Sequence, residues 1–136
     1  MVFRIYVDTS VIGGCMDEEF SVDSLRLFAA ARRGEMVLLV SDIVVRELQE
    51  APLKVREVLT SLPPSVVEAV PITEEVDTLR DHYLTAGVVG PRSLDDAAHV
   101  AAATVARADA IVSWNFKHIV QLERIKGYNT VNLLHG

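Results

Sequence analysis

Cysteine is almost absent from this 136-residue sequence, which contains Cys15 alone. No internal disulfide can form, so we expect the protein to work in the reducing cytoplasm. Long hydrophobic runs are missing as well, and the N-terminus has no basic region followed by a small-residue cleavage site. The sequence therefore predicts neither a membrane-spanning protein nor a secreted one.

Several widespread catalytic motifs are also missing. The sequence has no phosphate-binding glycine loop, no dinucleotide-binding glycine fingerprint and no nucleophile elbow. The four histidines lack the paired spacing of a zinc site: His82, His99, His118 and His135. We therefore expect no zinc centre.

A basic surface is a third absence. The chain has 13 Lys and Arg against 19 Asp and Glu, which gives a net charge of −6. This balance argues against indiscriminate binding to nucleic acids, which a basic surface favours. A nucleic-acid substrate stays open, because the acids can be gathered at a metal site or on outer helix faces.

What the sequence does contain is an alternation of short apolar strands with amphipathic helices, which is typical of a parallel α/β sheet. The predicted strands cover residues 3–7, 36–40, 66–72, 110–113 and 130–134. The predicted helices cover residues 23–33, 42–50, 53–61, 74–85, 94–107 and 117–125. Ser41, Thr73 and Ser93 each precede a helical pattern and can cap it. The spacings leave no room for a linker, so we expect one domain over residues 1–136.

Four polar residues stand where predicted strands end or helices begin: Asp8, Glu47, Asp96 and Asn115. Asp8 and Asn115 follow strands, and ligands of open parallel sheets bind beyond the carboxyl ends of the strands. Glu47 borders the apolar face of its helix, and Asp96 shares a helical stripe with Val100. Side-chain oxygens of this kind suit a hard divalent cation such as Mg²⁺ or Mn²⁺.

Each of these residues also has a purely structural interpretation. Asp8 can be a turn residue, and Asn115 can be a loop residue. Glu47 can be exposed or paired with an arginine, and Asp96 can complement the helix dipole. His99, one helical turn after Asp96, can pack in the core or support the site.

Taken in order, these segments resemble a PIN-domain ribonuclease of the kind that serves as the VapC toxin in bacterial and archaeal toxin–antitoxin pairs. The resemblance is carried by residues 7–11, Glu47, residues 93–102 and residues 112–116, and it spans nearly the whole chain. It implies a Rossmann-like parallel sheet of order 3-2-1-4-5 with helices on both faces. It also implies a homodimer, a cognate antitoxin, and cleavage of RNA that depends on Mg²⁺ or Mn²⁺.

By this resemblance Asp8, Glu47 and Asp96 match the family's three acids. Asp8 and Asp96 are then the primary ligands of the ion, and Glu47 holds metal-bound water or acts as a base. Asn115 stands where many members carry a fourth acid, within a pattern that Ser113 partly keeps. The exchange removes one negative charge, which bears on a second metal site and on catalytic strength.

The remaining predicted site residues surround this group. The hydroxyls of Thr9, Ser10 and Ser113 are expected to support the ligands. Lys117 and Arg92 are expected to contact phosphates that flank the cleaved bond.

Two other functions stay open at this point. A PIN-like module that has lost catalysis, with Asn115 as the sign of that loss, would hold RNA or a protein without cutting. A phosphatase or phosphoacceptor domain would use Asp8 as its nucleophile. The segment Asp8-Thr9-Ser10, however, lacks the second Asp of haloacid-dehalogenase-type phosphatases.

Overall fold

The computed structural model of the chain describes residues 2–88, 94–115 and 132. In that part of the chain, four strands form one parallel sheet in the order β3-β2-β1-β4. The strands are β1 Phe3–Val7, β2 Met36–Ser41, β3 Val67–Val70 and β4 Ala110–Val112. In the register, Ile5 of β1 lies opposite both Leu38 of β2 and Ala110 of β4. The predicted α/β class and the order of these four strands are confirmed.

Helices follow the strands on both faces of the sheet. Those within the described residues are α1 Thr9–Gly13, α2 Ser21–Arg32, α3 Asp42–Leu48, α4 Leu53–Thr60, α5 Glu74–Thr85 and α6 Leu94–Val105. Two short 3₁₀ turns, Gly14–Met16 and Pro64–Val66, complete the connections. None of the helices in these ranges is long and apolar enough to cross a membrane.

The core lies in two layers because neighbouring residues of a strand point to opposite faces. Tyr6 of β1 and Leu39 of β2 pack against α5 and α6. Val7, Leu38 and Val40 lie on the other face of the sheet, where they pack against residues of α1, α2, α3 and α4. Since α6 is rich in buried alanines, its backbone can approach the sheet closely and bring its first turn to the sheet edge.

Two differences from the sequence prediction have clear local causes. The strand predicted for residues 66–72 is only Val67–Val70, since Pro64 starts a 3₁₀ turn before it and Pro71 after it has no N–H for the ladder. The helix predicted for residues 94–107 ends at Val105, because Arg107 turns into the left-handed region with φ 56°.

Helix α1 was not predicted at all. Its five residues are too few to give a helical periodicity, and they include the β-branched Val11 and Ile12 and a glycine. It forms because the Asp8 carboxylate accepts a hydrogen bond from the backbone N–H of Val11 and caps it. The caps predicted at Ser41 and Thr73 are confirmed, since their side chains accept from Val44 and Val76.

Some predictions lie outside the described residues. These are the helix at 117–125, the cap at Ser93 and most of the strand at 130–134, which would be the fifth strand of the sheet. Asn132 is described within that last range, and it is helical rather than extended.

Candidate functional site

Asp8 lies at the carboxyl end of β1, with 4% of its surface exposed. One carboxylate oxygen accepts hydrogen bonds from Ser10 Oγ at 2.5 Å and from the Val11 N–H at 3.4 Å. The other accepts from Ser113 Oγ at 2.6 Å. Asp8 therefore has a structural role as the cap of α1. Two hydroxyl groups, those of Ser10 and Ser113, also contact its carboxylate.

A hydrogen-bonded network connects Asp8 to Asp96 through the segment after β4. Ser113 Oγ donates to Asp8 and accepts the backbone N–H of Asn115 at 2.9 Å. The Asn115 carboxamide then donates from Nδ2 to Asp96 Oδ1 at 3.1 Å. Three of the four predicted site residues are thus brought into one network at the carboxyl edge of the sheet.

Glu47, the fourth, lies beside this network on α3. Its side chain is 33% exposed, and its Oε1 is 2.7 Å from His99 Nε2. Partial burial acts to raise the pKa of Glu47, but the hydrogen bond with His99, helped by Thr9 and Arg46, holds it below its ordinary value. Glu47 is therefore an ionised carboxylate at neutral pH.

Thr9 contributes a buried polar atom to the same area. Its Oγ1 is near enough to Glu47 to help lower the pKa of that carboxylate. Measured by distance and angle, however, the hydroxyl makes no hydrogen bond within the described part of the chain. Thr9 Oγ1 is therefore a buried oxygen beside Glu47 that can contact a ligand.

Helix α3 carries Glu47 and helix α6 carries Asp96, and an exposed ion pair connects the two helices. Arg46 of α3 forms an ion pair with Asp95 of α6 at 2.8 Å, and both side chains are exposed. Asp95 therefore points to the surface, while Asp96 is half-buried and reaches the network.

A stacked aromatic pair, Trp114 and Phe20, lies next to the Asp8 network, and the sequence did not predict it. The Trp114 indole stacks on Phe20 with ring centroids 5.5 Å apart, and its Nε1 donates to Ser24 Oγ at 2.8 Å. The Trp114 backbone N–H donates to Ser10 Oγ at 3.0 Å. A β-carbon at Gly14 would lie 2.8 Å from Trp114 Nε1, so this position must be glycine for the indole to sit as it does.

The side-chain oxygens of the candidate residues suit a divalent cation, but these side chains do not form one close cluster. All the candidate ligands offer oxygen, and Thr9 adds a buried hydroxyl that makes no hydrogen bond to any described residue. Among the described residues, no three His, Cys, Asp or Glu side chains are close enough together to hold one ion. Asp8 and Asp96 are instead joined through Ser113 and Asn115, and Glu47 is held separately by His99. Because Mg²⁺ keeps several waters and commonly binds through one or two carboxylates, this arrangement still fits such an ion.

The fold is similar to a solved one. A chain in the crystal structure of VapBC2 from Rickettsia felis bound to a DNA fragment from their promoter aligns with a TM-score of 0.58 and 16% sequence identity. The alignment covers 85% of this chain and 92% of that chain. No model of a protein family matches the sequence, and no curated protein matches it. At this identity, the likeness shows the fold alone.

The two residues predicted to contact phosphates, Lys117 and Arg92, lie outside the described residues. Tyr6, which contacts His99 through its hydroxyl, was missed because it lies inside a predicted strand, where an aromatic residue is ordinary core material. No spacing in the sequence connects it to a residue 93 positions away.

Proposed function

We propose that this chain is a PIN-type endoribonuclease that depends on Mg²⁺ or Mn²⁺ and acts as the toxin of a toxin–antitoxin pair. The observation that carries the proposal is the hydrogen-bonded network that joins Asp8, Asn115 and Asp96 at the carboxyl edge of a parallel sheet. Ligands of such sheets bind at this edge. The likeness of the fold to a chain of VapBC2 supports the same assignment.

Asp8 and Asp96 are the residues that would hold the ion, with Glu47 beside them. Such an ion, when bound, supplies Lewis-acid polarisation of a phosphoryl oxygen and activation of water. Ser10 and Ser113 donate to opposite oxygens of Asp8 and so fix the plane of that carboxylate. Glu47, ionised at neutral pH, can accept a proton from the attacking water.

The proposal extends to the partners of the chain. The similar structure is described as VapBC2 bound to a DNA fragment from their promoter. By that likeness we propose a cognate antitoxin for this chain, and by resemblance to the family a homodimer, an RNA substrate and a cytoplasmic location. Residues 1–136 would then be one PIN domain.

The decisive experiment measures cleavage of RNA by the purified chain. We expect cleavage with Mg²⁺ or Mn²⁺, its loss in EDTA, and its recovery when excess metal is added. Asp96→Asn should lower kcat/KM on the order of 10³-fold, because it removes an interaction worth several kcal/mol in the transition state. Asp95→Asn is the matched control, since this acid points to the surface, and it should cleave like the parent. Cleavage that survives EDTA or Asp96→Asn would refute the proposal.

A second candidate is a binding module without catalysis. It is favoured by the Asn115 carboxamide, which takes one oxygen of Asp96 where many relatives carry an acid. Asn115→Asp tests it directly. If the parent is inactive and the variant cleaves RNA, the binding module is supported, whereas cleavage by the parent refutes it.

A further inference from the structure

A line of hydrogen bonds runs from the interior of the sheet to Glu47. Ser41 Oγ accepts the Val44 N–H at 3.4 Å and lies 2.8 Å from the Tyr6 hydroxyl. The Tyr6 hydroxyl lies 2.6 Å from His99 Nδ1. His99 Nε2 in turn lies 2.7 Å from Glu47 Oε1. Both nitrogens of the imidazole are therefore engaged, one toward the core and one toward the site.

The inner members of this line are almost completely buried. Tyr6 and Ser41 are 0% exposed, and His99 is 3% exposed. Polar groups in such surroundings destabilise a fold unless each has a partner, and apolar side chains of similar size would fill the same space. The Tyr6 ring also meets the imidazole edge-on, with centroids 5.8 Å apart, which limits how far the His99 ring can turn.

One arrangement of protons satisfies every atom of the line. The Val44 N–H donates to Ser41, the Ser41 hydroxyl to Tyr6, and the Tyr6 hydroxyl to Nδ1 of His99. The imidazole is then neutral, and its remaining proton is on Nε2, directed at Glu47. In this arrangement the contact with Tyr6, and not solvent, sets the direction of this N–H.

We propose that His99 is a positioning residue: it fixes one oxygen of the Glu47 carboxylate and so determines how the other oxygen is presented to the site. This inference rests on the proposed function, in which Glu47 acts beside the metal and the RNA. Groups that orient a functional side chain in this way typically change metal affinity or activity by about 10–100-fold.

Two variants of His99 separate its contacts. Glutamine keeps an N–H donor near the position of Nε2, and asparagine keeps an acceptor near the position of Nδ1. We expect His99→Asn to weaken Mn²⁺ binding and lower kcat/KM for RNA cleavage by about 10–100-fold. His99→Gln should stay within about threefold of the parent, because it retains the contact with Glu47. Equal losses in the two variants would overturn the proposal.

A double-mutant cycle distinguishes positioning from a general effect on the fold. If His99 acts through Glu47, His99→Asn added to Glu47→Gln should cause less than about a twofold further loss of activity or Mn²⁺ affinity. A full additional loss of about 10-fold or more would show that His99 acts independently of Glu47, and it would overturn the inference while the nuclease proposal stands.

NMR spectroscopy tests the contact between His99 and Glu47, and it requires neither metal binding, nor RNA cleavage, nor a His99 variant. In the full chain labelled with ¹⁵N-histidine, we expect His99 to carry a slowly exchanging proton on Nε2 and none on Nδ1. The signal should shift upfield in Glu47→Gln, since a neutral acceptor bonds more weakly than a carboxylate. It should not move in Glu50→Gln, an exposed acid that follows the same helix. A proton on Nδ1, or a signal unchanged in Glu47→Gln, would refute the inference even if the parent cleaves no RNA and the proposed function fails.

Discussion

At the scale of single residues, the structural and functional interpretations of Asp8 are both present in one side chain. Its carboxylate caps α1 and is also held by Ser10 and Ser113 at the edge of the sheet. A buried carboxylate with fixed oxygens is costly to keep unless its hydrogen bonds are satisfied. The hydroxyl of Ser113 therefore contributes to the stability of the fold as well as to the candidate site.

Ser113→Ala tests this contribution. It removes a buried donor to Asp8 and the acceptor of the Asn115 N–H, so the free energy of unfolding should fall by about 1–3 kcal/mol. Urea unfolding followed by circular dichroism measures the change. Ser65→Ala, at an exposed position, is the control and should stay within about 0.5 kcal/mol of the parent. An equally small effect at Ser113 would mean that its hydrogen bonds add nothing to stability.

At the scale of elements, the sequence predicted a helix or strand well where its pattern of apolar residues extends over the whole element. It predicted β1 and α5 with their observed bounds, and it put Glu47 and Asp96 on the helices that carry them. It missed α1, whose five residues depend on a cap. It also missed the contact of Tyr6 with His99, because that contact requires β1 and α6 to pack together. Side chains that meet only after folding leave no local signal in one sequence.

The end of α6 provides a test at this scale. Arg107 has φ 56°, a left-handed conformation that strains a residue with a β-carbon, and its carbonyl accepts from Arg4. Arg107→Gly relieves the strain, so we expect the free energy of unfolding to rise by up to about 1 kcal/mol. Arg107→Ala keeps the β-carbon and controls for the lost side chain, so it should bring no gain. Thermal and urea unfolding measure both, and a gain in the alanine variant would exclude strain as the cause.

At the scale of the whole molecule, the two layers of the core bury tyrosine hydroxyls on one face of the sheet. Tyr6 and Tyr83 are both 0% exposed and belong to the same hydrophobic cluster. Burial raises the pKa of each hydroxyl above its ordinary value, although hydrogen bonding with Ser41 for Tyr6, and with Thr104 and Asn132 for Tyr83, acts against it. The neutral form of both residues is therefore favoured by folding.

The stability of the fold should therefore decrease at alkaline pH. A raised pKa in the folded state contributes stability that is complete below the unfolded value, about pH 10, and is lost as the pH rises toward the folded value. We expect Tyr6 and Tyr83 to ionise only as the protein unfolds in alkali. The tyrosinate absorbance should therefore rise together with the loss of helical circular dichroism. Tyr83→Phe should remove one tyrosinate from that cooperative step and leave the other. Ionisation of both tyrosines near pH 10 with the fold intact would show that their hydroxyls are reached by water, and that the layer between the sheet, α5 and α6 is not closed.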